Sequence, residues 1–287
     1  MKHLSDFTAN DIAELARADV VRALLEDVGE GDLTAALVDG RVSVRARILA
    51  RESAVICGAP WVEAAVRACD PTANVVWHVG EGQRCEPNQV VVGFEGNAQA
   101  LLTAERTALN FMQMMSAVAT KTAEFVAAVE GTRANIVDTR KTLPGLRLAQ
   151  KYAVKVGGGV NHRIGLYDAV LIKENHIAAA GGVSAVLRRV AEMAPQARFV
   201  EIEVETLAQL DEALNSGARM VLLDNMAIPT LQEAVQRNNG RAILEVSGGV
   251  NLDTVRSLAE TGVDRISIGA LTKDVKAIDF SMRFDAF

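Results

Sequence analysis

Cysteine is scarce in this chain. The three thiols, Cys57, Cys69 and Cys85, are odd in number, far apart and without a C-x-x-C pair. That excludes a disulfide framework and a cysteine zinc site, and it points to a reducing cytoplasm. Long hydrophobic runs are missing as well. The longest charge-free stretch, Thr107–Thr120, has 14 residues, short of the roughly 20 a spanning helix needs. Met1–Asp19 mixes Lys, Asp, Glu and Arg with no apolar run, so neither an export signal nor a membrane partner is expected. There is no excess of positive charge: 30 Lys+Arg stand against 36 Asp+Glu, a net of −6. This argues against a general nucleic-acid or anionic-membrane binder. Aromatics are only 4% of residues. No repeat, low-complexity tract or Pro/Gly/Ser-rich linker is visible.

What is present is a globular mix, 287 residues with 49% hydrophobic and 23% charged, enough for one large domain or two ordinary ones. The charge is unevenly spread. From Arg133 to Lys173 there are eight basic residues (Arg133, Arg140, Lys141, Arg147, Lys151, Lys155, Arg163, Lys173) against Asp138 and Asp168. An acidic chain with one basic island invites an anionic ligand for the island.

The first hundred residues read as a small α/β unit. Apolar positions at Ile12, Leu15, Ala16, Val20, Ala23 and Leu24 have helical spacing, whereas Val42–Leu49 alternates as a half-solvated strand does. Val75–Val79 and Val90–Phe94 are further strands, and Glu105–Val129 reads as a linking helix in which Met112, Met114 and Met115 serve packing. The rhythm then changes. Strand-length apolar runs recur at Asn135–Asp138, Ala169–Ile172, Phe199–Val204, Met220–Leu223, Ala242–Val246 and Arg265–Ile268. Helix signals follow most of them: Thr206 with Gln209 is a capping box closed by Gly217, and Asn251 opens a helix ended by Gly262. This β-α order predicts a parallel sheet or barrel of about six strands, short of the eight in a complete barrel.

In such folds the functional groups gather at the carboxyl ends of the strands. Here those ends carry Asp138-Thr139-Arg140-Lys141, Lys173-Glu174-Asn175, Glu203, Asp224-Asn225, Ser247-Gly248-Gly249 and Gly269-Ala270. Clustered cations fit an anion site, although a strand-end Lys or Arg also occurs simply solvated or salt-bridged. Glu203 and Asp224 suit Mg²⁺ beside a polyphosphate, or act only as structural partners of the cations. The two glycine turns match a barrel phosphate site, or are ordinary bends. His162 follows Gly157-Gly158-Gly159 and lies between Asn161 and Arg163, which reads as a flexible polar loop with a functional histidine. His3, His78 and His176 read as structural or surface residues.

These residues, together with Glu26–Thr34, Glu105–Asn110, Asp138–Arg147, Gly157–Arg163, Lys173–His176, Glu203–Glu205, Leu223–Asn225 and Glu245–Gly249, resemble the quinolinate phosphoribosyltransferase family nearly end to end. The resemblance implies an α/β fold: an N-terminal α/β sandwich over residues 1–112, to which a tail at 275–287 returns, and an incomplete (β/α) barrel over 113–274. It implies transfer of phosphoribosyl from phosphoribosyl pyrophosphate to quinolinate with decarboxylation, giving nicotinate mononucleotide, pyrophosphate and CO₂ with Mg²⁺ as cofactor. It also implies a cytoplasmic homodimer with shared active sites, with a larger assembly such as a trimer of dimers left open. Arg140, His162, Arg163 and Lys173 would bind quinolinate, joined by Arg106 of the second subunit. Thr139 would bind substrate, and Lys141 would meet phosphoribosyl pyrophosphate. Glu203 and Asp224 would serve the metal and ribose, and Ser247, Gly248, Gly249, Gly269 and Ala270 the 5′-phosphate.

Planar Arg forks match a dicarboxylate in a way Lys cannot. Other readings are a molybdate-transport-associated relative with a different substrate, a barrel aldolase using Lys173 as Schiff-base lysine, and a non-catalytic phosphometabolite binder. Arg133, Arg147, Lys151 and Lys155 have no assigned role.

Overall fold

The computed structural model describes residues 7–285, in two compact units. The first comprises the described residues of Met1–Ala123, Thr142–Gly158 and Thr272–Phe287, and the second comprises Glu124–Lys141 and Gly159–Leu271. Helix Ala98–Ala128 carries the chain from one unit into the other. His3 and the last two residues of the tail lie outside the described residues.

The first unit opens with helix Ala9–Val28, whose start is fixed by a capping box: Thr8 Oγ1 accepts the Asp11 N–H and Thr8 N–H donates to Asp11. Five strands follow, β1 (Ser43–Ala50), β2 (Ala54–Val55), β3 (Asn74–Trp77), β4 (Arg84–Cys85) and β5 (Val90–Asn97). The second unit supplies β6 (Asn135–Val137), β7 (Val170–Ile172), β8 (Val200–Val204), β9 (Met220–Asp224), β10 (Ile243–Ser247) and β11 (Arg265–Ser267), and the tail supplies β12 (Phe280–Phe284). In the first unit an antiparallel sheet runs β12-β1-β5-β3. Along β1, Val44, Ala46, Ile48 and Ala50 are buried and Ser43, Arg45 and Arg47 exposed, the alternation read in the sequence. The β2/β4 pair has two residues per strand, too few to show a period. Helix Arg147–Val156 is a further addition. Its polar residues hide the pattern, because Gln150 and Lys151 are buried alongside Ala149, Ala153 and Val154.

The second unit is a six-stranded, wholly parallel sheet in the order β6-β11-β10-β9-β8-β7. Strands β6 and β7 are its two edges and do not pair, so the barrel is incomplete as expected. A single parallel bridge, Val137 to Val160, lays the segment after Gly159 along the free edge of β6. Helices alternate with the strands. Thr206 caps helix Leu207–Asn215 through Gln209, and Gly217 leaves it at φ 84°. Asn251 caps helix Leu252–Ala259. Between β7 and β8 two helices, Glu174–Ala180 and Val183–Met193, are split by Gly181 and Gly182 at φ 84° and 127°, values that favour glycine.

Candidate active site

Alternation within the short strands places pairs of residues on one face: Glu201 and Glu203 of β8, Glu245 and Ser247 of β10, Arg265 and Ser267 of β11. The outer member of each pair lies at or near a strand end. Asp224 and Ser247 are register partners, and Ser247 Oγ donates to Asp224 Oδ1 at 2.8 Å. Asn225 Nδ2 donates to the other oxygen at 3.0 Å, and Asn225 N–H reaches the Ser247 carbonyl at 3.2 Å. Both carboxylate oxygens of Asp224 are thereby held. The crossing Asn225 side chain also explains Gly248, where a Cβ would stand 2.0 Å from Asn225 Oδ1 and where φ is 107°. Gly249, at φ 59°, continues the turn.

Beside this turn, Lys173 Nζ stands 3.5 Å from Glu203 Oε2. Burial raises the Glu203 carboxyl, opposed by Lys173 and reinforced by the like charge of Asp224. His176, read as incidental, takes the Lys173 N–H on Nδ1 at 3.0 Å and steadies that strand end. Gly269 exists to make room for a neighbour: a Cβ there would meet Lys141 Cδ at 2.8 Å and Thr139 Oγ1 at 3.6 Å. Thr139 Oγ1 in turn accepts the Lys141 N–H. Ala270 starts the short helix that follows.

The two arginines come together. Arg163 is buried, its Nη1 donating to the Ala169 carbonyl at 3.2 Å, and its pKa is lowered first by burial and then by the charge of Arg140. Arg140 Nε is buried with no hydrogen-bond partner. A desolvated guanidinium edge next to a second guanidinium is a place that an anion stabilises. Arg106 is exposed on helix Ala98–Ala128 in the first unit.

The reading of a flexible loop around His162 is corrected here. Residues 161–165 are buried, because Val160 joins the edge of β6 and wholly buried Asp138 accepts from Asn161 Nδ2 at 2.6 Å and from His162 N–H at 2.8 Å. The His162 ring packs edge-on against Phe199, accepts the Arg163 N–H on Nδ1 at 2.7 Å, and meets Glu201 Oε2 with Nε2 at 2.7 Å. Below it Glu245 accepts from Arg265 Nε at 2.8 Å. Burial pushes the carboxyls of Glu201 and Glu245 up to about 7, with Arg265 opposing the shift in both. Glu201, Glu245 and Arg265 escaped the reading of strand ends, yet the signal was there: a charge two residues before Glu203 or Ser247 shares its face.

Two groupings in this unit bring carboxylates close together. His162, Glu201 and Glu245 bring ligand atoms within 4.8 Å of one another, but His162 Nε2 is already taken up by Glu201 and Glu245 Oε2 by Arg265. Glu203 and Asp224 offer hard carboxylate oxygens, and Asp224 adds to the upward shift of Glu203. A divalent cation would relieve that repulsion, so this pair fits Mg²⁺.

Three other residues of the basic island make contacts or are buried away from these strand ends, while Lys155 is exposed. Arg133 pairs with Asp264, Arg147 Nε donates to Thr142 Oγ1, and Lys151 is wholly buried in the first unit. A cleft of about 520 Å³ in that unit is bordered by Arg22, Glu26, Thr107, Met115 and Leu146, and no predicted site residue lines it. Among the described residues no helix is long and apolar enough to cross a membrane.

Comparison with known proteins agrees along most of the chain. Residues 32–116 match the quinolinate phosphoribosyl transferase N-terminal domain and residues 118–283 its C-terminal domain. A nicotinate-nucleotide pyrophosphorylase (carboxylating) of Mycobacterium leprae is 44% identical over 94% of this chain and 97% of its own length. A mitochondrial quinolinate phosphoribosyltransferase (decarboxylating) of Nicotiana tabacum is 42% identical over 92% of this chain and 80% of its own. The solved nicotinate-nucleotide pyrophosphorylase of Francisella tularensis superposes with a TM-score of 0.93 at 38% identity, covering 99% of this chain and all of that one. The chain belongs to the quinolinate phosphoribosyltransferase family.

Proposed function

We propose that the protein transfers the phosphoribosyl group of phosphoribosyl pyrophosphate to quinolinate, with loss of CO₂, to make nicotinate mononucleotide and pyrophosphate for NAD synthesis. The observation that carries this reading is the buried, unpartnered Nε of Arg140 beside Arg163. Two planar forks bind a rigid dicarboxylate bidentately, and Lys173 supplies a third cation.

The pyridine nitrogen attacks the ribose C1′ with its own lone pair as pyrophosphate departs, so no general base is required. Positive charge builds on the ribosyl centre, where Glu203 and Asp224 stabilise it. Lys141 offsets the charge of the leaving pyrophosphate, and the Ser247–Gly249 turn with Gly269 and Ala270 receives the 5′-phosphate on backbone N–H groups. Mg²⁺ held by Glu203 and Asp224 would neutralise polyphosphate charge. In the adduct the ring nitrogen is cationic and draws in the electron pair released as the 2-carboxylate leaves as CO₂; a proton from solvent then fills C2. The site is completed by Arg106 from a second copy in a homodimer, and the enzyme works in the cytoplasm.

The test is incubation with Mg²⁺, phosphoribosyl pyrophosphate and quinolinate labelled in the 2-carboxylate, with nicotinate in parallel. Labelled CO₂ and nicotinate mononucleotide from quinolinate are expected. Absence of CO₂ release overturns the assignment.

A further inference from the structure

The mechanism above leaves the buried groups on the inner face of β8 without a task. Glu201 is wholly buried, and its Oε2 lies 2.7 Å from His162 Nε2. The other ring nitrogen, Nδ1, accepts the backbone N–H of Arg163 at 2.7 Å. A nitrogen that accepts carries no proton, and a neutral imidazole must carry one, so the proton sits on Nε2 and Glu201 is its acceptor. The next residue along the backbone is Arg163, whose guanidinium stands beside Arg140. Asp138 takes Asn161 Nδ2 and His162 N–H, and so binds the Arg163 segment to the strand end that carries Arg140.

We propose that Glu201 is a positioning residue of the dicarboxylate site: by accepting the Nε2 proton of His162 it fixes that ring in the one tautomer whose Nδ1 holds the Arg163 backbone, and thereby sets where the Arg163 guanidinium meets the substrate. His162 is then a strut between Glu201 and Arg163, with both ring nitrogens committed to the protein. The proposal rests on the quinolinate reading for its substrate and on geometry alone for the tautomer. Carboxylate partners that fix an imidazole tautomer in this way are familiar from metal-bound histidines; here the beneficiary is a backbone amide.

Two measurements test it. Long-range proton–nitrogen correlation spectra of the full-length protein at pH 7.5 identify which His162 nitrogen is protonated, the signal being assigned by its loss in His162→Gln. The Nε2–H form is expected in the wild type and in Glu201→Gln, whose side-chain oxygen still accepts, and a mixture of forms in Glu201→Leu. Steady-state kinetics should then show KM for quinolinate raised about tenfold in Glu201→Leu, with kcat and KM for phosphoribosyl pyrophosphate little changed and Glu201→Gln restoring most of the loss. A wild-type spectrum with the proton on Nδ1 overturns the proposal without any variant having to fold. So does a Glu201→Leu enzyme whose quinolinate KM is unchanged, or whose kinetic constants all fall together. Failure of the wild type to consume quinolinate would instead count against the substrate, and the tautomer would still be read from the spectrum.

Discussion

Glu245 and Arg265 are register partners on adjacent parallel strands, and the guanidinium Nε of one donates to the carboxylate of the other at 2.8 Å where Glu245 is wholly buried. Arg265 there faces two carboxyls, since Glu201 lies close enough to raise Glu245 further, while His162 opposes the rise of Glu245 and Arg163 that of Glu201. Ionising both acids leaves a buried negative charge that Arg265 cannot cancel.

That surplus makes stability fall with rising pH. The folded pKa of Glu245 is raised from the usual 4.5 to about 7, so the native state holds a proton that the unfolded chain has lost. The contribution is full below pH 4.5 and disappears as pH climbs through 7, an effect of at most about 3 kcal/mol. Carboxyls held low by hydrogen bonds, such as Asp32 and Asp70, change state only at lower pH. Urea unfolding at pH 5, 6, 7 and 8 should show the decline, and Glu245→Gln should make it shallower, with Glu201, also raised to about 7, supplying what remains. A variant with the wild-type slope would contradict the assignment.

Two glycines should fail differently. In Gly248→Ala the new methyl collides with Asn225 Oδ1 at 2.0 Å on a backbone at φ 107°, so Asn225 must release Asp224. Loss of kcat/KM for phosphoribosyl pyrophosphate by about tenfold or more is expected, with about 1–3 kcal/mol of stability lost to strain. In Gly269→Ala the one close approach of the methyl is to the flexible Cδ of Lys141 at 2.8 Å, Thr139 Oγ1 being at an ordinary 3.6 Å. Lys141 swings aside, so thermal unfolding should barely move while KM for phosphoribosyl pyrophosphate rises. Equal destabilisation by the two substitutions would show that the crossing Asn225 does not control the turn.

The Asp19–Trp61 contact gives a prediction for the first unit. Trp61 is wholly buried, and its indole N–H donates to Asp19 Oδ2 at 3.0 Å. Asp19→Leu leaves that donor unpaired in an apolar setting, at a cost of about 1–3 kcal/mol. Asp19→Asn, which keeps an acceptor oxygen, should lose less. Thermal unfolding followed by tryptophan fluorescence distinguishes the two. Equal melting temperatures for Leu and Asn would mean that the hydrogen bond contributes nothing.

How much of this was legible in the sequence follows from where the signal lies. The six parallel strands are short segments with apolar residues between turn or capping signals, and the sequence places each to within one residue at either end. The strand-end residues could be named because chain order alone sends them to one rim. Glu201, Glu245 and Arg265 could not, since their meaning depends on the close approach of neighbouring strands in register. His162 was misread for a related reason. A glycine run announces flexibility, but the bridge from Val160 to Val137 converts the segment into a buried edge, and such long-range pairing leaves no local pattern. Lys151, which the sequence leaves without a role, is wholly buried in the first unit.

A shared site can be tested by mixing two dead enzymes. Arg106 is exposed on helix Ala98–Ala128, and Lys141 is exposed at the end of the chain segment that follows β6. If each site takes Lys141 from one copy and Arg106 from the other, Arg106→Ala and Lys141→Ala chains are separately inactive. Random reassociation makes about half of the dimers hybrid, and a two-fold interface gives each hybrid one intact site and one doubly defective site. About a quarter of wild-type activity should therefore return after unfolding and refolding an equimolar mixture, or on co-expression with two tags. Purification through both tags confines the measurement to true hybrids, whose activity should approach half that of the wild type per dimer. Proven hybrids without turnover would place Arg106 and Lys141 in the same site of one chain, or remove Arg106 from the site altogether.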